Sequence, residues 1–131
     1  MATLRAFEQQ DLNQLKEQAI AAAVTIAQNH GLKYEYEFVE EFPATVNAPE
    51  AVAVVTRAAA ALQLDVQQAH EPVRWSEDFG HFTYAYKGAL FGFGSGHDQP
   101  QLHHDDYDFP DELIPTGSSL FYSIAQQLLQ D

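Results

Sequence analysis

The stretch from Gln9 to Glu40 constrains the fold most tightly. Gln9 to His30 contains no proline or glycine, and Leu12, Leu15, Ala19, Ala22, Ala23 and Ile26 recur at helical spacing. Gly31 follows where a left-handed residue would close such a helix. Lys33 to Glu40 then changes period. Tyr34, Tyr36 and Phe38 fall on one side and Glu35 and Glu37 on the other, the pattern of a strand with one wet face. Thr3 to Phe7 also alternates, so the first part of the chain is expected to run strand, helix, strand.

Phe42-Pro43-Ala44-Thr45-Val46-Asn47 interrupts this pattern, and the change of domain is placed there. Pro49 suits the first turn of a second helix reaching about Leu62, with Ala and Val on most of its faces, as in a buried element. Leu64 to Gln68 is a candidate short strand. Ser76 can cap a short helix with Glu77 and Asp78 in its first turn, where the helix dipole favours acids. Leu90 to Gly94 mixes large apolar residues with glycine, as a closely packed strand does. A last helix lies within Phe109 to Gln130, with Pro110 and Pro115 near its start, because an interior proline would break it. Its apolar face is Leu120, Phe121, Ile124, Leu128 and Leu129, and Trp75, Tyr84 and Tyr86 are assigned to the core.

With 131 residues, 46% of them hydrophobic, the chain is long enough for one domain with a real core and too apolar for a disordered one. There is no cysteine, which excludes a disulfide framework and a thiolate site. No apolar run has the length of a membrane span and no signal peptide is visible, so the expected location is cytoplasmic. A net charge of −13, from 19 acidic and 6 basic residues, argues against nucleic acid and anionic membrane as partners, since both need a cationic surface.

The chemistry-bearing residues concentrate late in the chain. Gln101-Leu102-His103-His104-Asp105-Asp106-Tyr107-Asp108-Phe109 sets a histidine pair beside carboxylates, after the glycine-rich stretch. A neutral imidazole suits a zinc-like ion, and a carboxylate beside it can accept from its other nitrogen. Without further support, a histidine in such a loop is a solvated surface residue. His97 and Asp98 follow Gly94-Ser95-Gly96 and fit a flexible turn. His30 fits a helix end, and His70 and His81 have no evident role. Gly92, Gly94 and Gly96 are not a phosphate loop, because no Lys-Ser/Thr follows them.

Several segments, in order, resemble the C-terminal end of the zinc-dependent aminoacylase and carboxypeptidase family. The resemblance is closest to the branch of hippurate hydrolases and auxin-conjugate amidohydrolases. Ala2-Thr3-Leu4-Arg5 is similar to a Gly-Thr-Ile/Leu-Arg strand of the family's smaller lid domain, and Phe42 to Asn47 to the Tyr-Pro-Pro-Thr-Val-Asn segment that returns to the catalytic domain. Ser76-Glu77-Asp78-Phe79 matches the branch motif, and Leu102-His103 with Tyr107-Asp108-Phe109 resembles the segment supplying the last metal ligand.

The resemblance implies a mixed α/β (α+β) fold: a partial lid or dimerisation domain of strand, helix and strand over residues 1–46, then the C-terminal part of a metallopeptidase-type catalytic domain over residues 47–131. It implies a hydrolase of N-acyl amino acids in which two divalent ions, zinc or manganese, share a water whose proton a glutamate accepts. Residue by residue, it makes His103 the metal ligand, Asp105, Asp106 and Asp108 candidate acceptors for the imidazole's second nitrogen, and Asn47 and Arg5 candidate contacts to the substrate carboxylate.

The departures matter as much. The family's His-x-Asp segment, its catalytic Glu-Glu pair and its mid-chain ligand histidine have no counterpart, and Glu40-Glu41 ends the lid segment, the wrong place for that pair. No catalytic residue is therefore assigned. The expectation is a fragment covering roughly the C-terminal third of a family member, inactive alone and holding no metal unaided. Its expected partner is a missing N-terminal segment or another copy in a homo-oligomer, because sheet edges would otherwise stay bare. The alternatives are a non-catalytic α/β binding or assembly module, and a self-contained metal binder built on His97, His103, His104 and nearby aspartates.

Overall fold

The computed structural model describes residues 1–73 and 77–130. Ser76, the expected cap, and Trp75 lie outside the described residues. The chain divides into two compact units, Met1–Val46 with Trp75–Ala85, and Asn47–Arg74 with Tyr86–Asp131.

All regular structure among the described residues is helical: α1 (Gln9–Asn29), α2 (Pro49–Ala61), α3 (Gly80–Ala85) and α4 (Leu113–Leu128). The expected α/β fold with lid strands is thus corrected. Alternation tells which side chains share a face, but a strand forms only when a neighbour takes its N–H and C=O groups. Residues 3–7 and 33–40 make no backbone ladder among the described residues. Leu64 is drawn back onto α2 instead of opening a strand, its N–H donating to the Ala59 carbonyl at 2.9 Å. At 90–94, both backbone polar groups of Leu90 are taken by the Asn47 side chain.

In the first unit, α1 ends as the sequence dictates. Gly31 has φ +64°, and the Leu32 and Gly31 N–H groups donate to the Ala27 and Gln28 carbonyls at 2.8 and 3.2 Å, the paired bonds of a Schellman close. The covered stripe of α1 is Leu12, Lys16, Ile20, Val24 and Ala27, while Ile26 is 59% exposed. The stripe is rotated from the expected one because Lys16 takes part in it. Its Nζ sits 4.4 Å from the centroid of the Phe38 ring and 2.6 Å from Glu41 Oε2, so its stem covers the helix while its charge serves two partners. Short α3 belongs to this unit, with Gly80 buried against the Pro43 carbonyl. Tyr84 and Tyr86 are 88% and 74% exposed, so neither is a core residue.

In the second unit, α2 packs on α4. Ala58, Ala59 and Leu120 form the buried core, with Leu64, Phe91 and Ile124 against it. Alanine on α2 leaves room for the Leu120 side chain to enter. α2 closes with a second Schellman pair, Leu64 to Ala59 and Gln63 to Ala60, and Gln63 occupies the left-handed position at φ 58°. Pro115 lies within the first turn of α4, where backbone N–H groups have no intrahelical partner to lose. No helix among the described residues is long and apolar enough to cross a membrane.

Candidate functional site

Two linked turns present the histidine segment. The His104 N–H donates to the Gln101 carbonyl and the Tyr107 N–H to the His104 carbonyl, both at 3.0 Å. His103 is the third residue of the first turn and has φ 72°. Glycine or asparagine is usual at such a position, because a Cβ there is crowded by its own backbone. Beyond the turns the chain is anchored by buried Pro110.

His103, His104, Asp105 and Asp106 line one open depression. His104 Nδ1 stands 3.9 Å from Asp106 Oδ1, with both side chains mostly exposed, a weak and solvent-screened contact. Asp108 is exposed and is not among the lining residues, and His97 sits in a separate turn after Gly96, whose φ is +100°. Among the described residues, no three His, Asp or Glu side chains gather as a metal would require. The donors present are one imidazole pair and two flanking carboxylates on two linked turns, and they do not by themselves make up a metal centre.

The other candidates lie elsewhere. Asn47 faces Leu90: its Nδ2 donates to the Leu90 carbonyl and its Oδ1 accepts from the Leu90 N–H, each at 2.8 Å. Beside it, Lys87 Nζ meets Glu50 Oε1 at 2.6 Å. The hydrogen bond from Lys87 holds the Glu50 carboxyl below its ordinary range, and the same bond raises the Lys87 ammonium. Both groups are fully exposed, so the pair is only a surface contact. Arg5 belongs to the first unit, is exposed, and makes no ion pair among the described residues. The partnership of Asn47 with Leu90 escaped the sequence, because no local pattern links positions so far apart. The left-handed His103 had a signal only in the turn-forming neighbours around it.

The sequence pattern of peptidase family M20/M25/M40 matches residues 6–127, and the chain belongs to that family. It is 28% identical to the putative amidohydrolase YhaA of Bacillus subtilis (strain 168) over 131 residues, 95% of this chain and 33% of that protein. It is 26% identical to the uncharacterized hydrolase SH1513 of Staphylococcus haemolyticus (strain JCSC1435) over 117 residues, 86% of this chain and 30% of that protein. The chain spans about a third of the length of these curated relatives. No solved structure matches it.

Proposed function

We propose that this chain works as the C-terminal part of a metal-dependent amidohydrolase of N-acyl amino acids, of the hippurate-hydrolase and auxin-conjugate type, and that alone it does not turn substrate over. The observation that carries this is the match of residues 6–127 to peptidase family M20/M25/M40 by a chain that spans about a third of the length of its relatives. In this reading His103 is the chain's metal ligand, toward zinc or manganese, and Asp105 or Asp106 accepts from the second imidazole nitrogen. Asp108 is the third candidate for that acceptor. Arg5 is the candidate nearest in chemistry to a substrate carboxylate, whereas the Asn47 amide is engaged with Leu90. The remaining ligands and the proton-accepting glutamate come from a preceding segment of the polypeptide or from a separate chain that carries it. Exposed Tyr36, Phe38, Phe121 and Leu129 are consistent with such a partner. In this reading the protein acts in the cytoplasm.

The test is an N-acetyl and N-benzoyl amino acid assay, with zinc or manganese added, on the chain alone and on a chimera. In the chimera the chain replaces the matching third of the Bacillus subtilis relative. The chain alone is expected to show no turnover above background. The chimera is expected to hydrolyse at least one substrate and to lose more than ~100-fold in His103→Ala, exceeding the usual cost of disturbing a ligand's supporting partner. Turnover by the chain alone, or a His103→Ala chimera as active as its parent, would overturn the proposal. A chimera inactive on every substrate but well folded would favour the assembly-module alternative.

A further inference from the structure

The Asn47 carboxamide has both polar atoms committed to one residue, Leu90, through two bonds of 2.8 Å. The next residue continues the pairing, with the Ala48 N–H donating to the Gly88 carbonyl at 2.9 Å. A carboxamide presents an N–H and a C=O side by side on one edge, as a single residue of an extended strand does, so Asn47 meets Leu90 as a neighbouring strand would. The consequence is register. With Leu90 held, Phe91 packs on the core of Ala58, Ala59 and Leu120, and its ring centroid lies 5.8 Å from that of Phe121. Phe93 then comes up against Gly117, where an added Cβ would stand 3.9 Å from its ring.

We propose that Asn47 is a positioning residue whose side chain sets the register of residues 88–93 against α2 and α4, and so fixes the stretch from which the chain runs on to the His103 turn. This rests on the hydrogen-bond geometry and holds whether or not the hydrolytic reading does. Asparagine is specified twice. An alanine there offers Leu90 nothing. An aspartate accepts from the Leu90 N–H but turns its second oxygen toward the Leu90 carbonyl with no proton to share. Protonating that carboxyl restores the donor, so its pKa in the folded chain is raised, and the stability tied to it is present at low pH and lost as pH rises. The charged side chains flanking the pairing are Glu50 and Lys87, which pair with each other and are common to every variant.

The experiment is amide hydrogen exchange and thermal unfolding of the full chain. In the unmodified protein the Leu90 and Ala48 amides are expected to exchange ~10-fold or more slowly than unpaired amides in residues 33–40. Asn47→Asp is expected to lower Tm near pH 7.5, with the gap to the unmodified chain narrowing toward about pH 4.5 as the carboxyl takes up its proton. The Asn47→Ala gap is expected to stay constant over the same range. A Leu90 amide unprotected in the unmodified chain, or an Asn47→Asp gap indifferent to pH, would overturn the assignment.

Discussion

Leu120→Ala is expected to destabilise the second unit by roughly 2–5 kcal/mol, enough to remove its cooperative unfolding transition. Leu120 is only 3% exposed and is the one large side chain among the buried core residues; its buried companions, Ala58 and Ala59, are small. Truncation removes the transfer energy of the leucine and leaves a void that two alanines on a helix cannot fill by changing rotamer. Leu64, Phe91 and Ile124 border the site and can relax only in part, because Leu64 is tied to Ala59 and Phe91 follows the residue held by Asn47. Two residues along the helix, Tyr122 is 67% exposed, with its hydroxyl accepting only from Gln126, so Tyr122→Ala is expected to change stability by less than ~0.5 kcal/mol. Denaturant titration of both variants separates the cases. A Leu120→Ala chain as stable as Tyr122→Ala would mean that α2 and α4 are not held together by this contact.

Gly80→Ala is the second large effect, and here two principles oppose each other. Alanine favours a helix over glycine by about 1 kcal/mol, so propensity alone predicts a gain in α3. A Cβ at Gly80, however, would overlap the Pro43 carbonyl oxygen, with the Ala44 backbone 3.4 Å away. Backbone cannot move aside as a long side chain can, and overpacking of this kind costs typically about 1–3 kcal/mol and sometimes more. Packing wins, and the first unit is expected to lose up to about 2 kcal/mol net, and more where the Pro43 backbone cannot shift. Gly94→Ala is the control, since nothing lies within 4 Å of its added Cβ. Hydrogen exchange over α1 and α3 measures the loss, and protection in Gly80→Ala equal to that in Gly94→Ala would show that α3 does not lie against Pro43.

What the sequence made legible follows from which signals are local. The ends of α1 and α2 could be read because Gly31 and Pro49 act through their own backbone preferences, and Pro115 marks the first turn of α4 for the same reason. The strands could not be read correctly, because alternation in Lys33–Glu40 fixes faces and says nothing about a partner. The covered side of α1 was misplaced because hydropathy ranks Lys16 as a surface residue, whereas its stem and charge are both used against Phe38 and Glu41. The family was legible from ordered motifs, whereas the left-handed backbone at His103 was not. That Asn47 spends its amide on Leu90, far along the chain, was not.

In the proposed function, the His103 turn belongs to a metallohydrolase site that further ligands must complete. Metal content per chain tests it most directly, measured by elemental analysis of untagged protein purified without chelator, challenged with excess zinc and freed of loosely held ions. The account predicts that zinc stays substoichiometric and that His103→Ala changes it little. Tight stoichiometric zinc that disappears in His103→Ala would contradict it, because the turn would then build a complete site unaided.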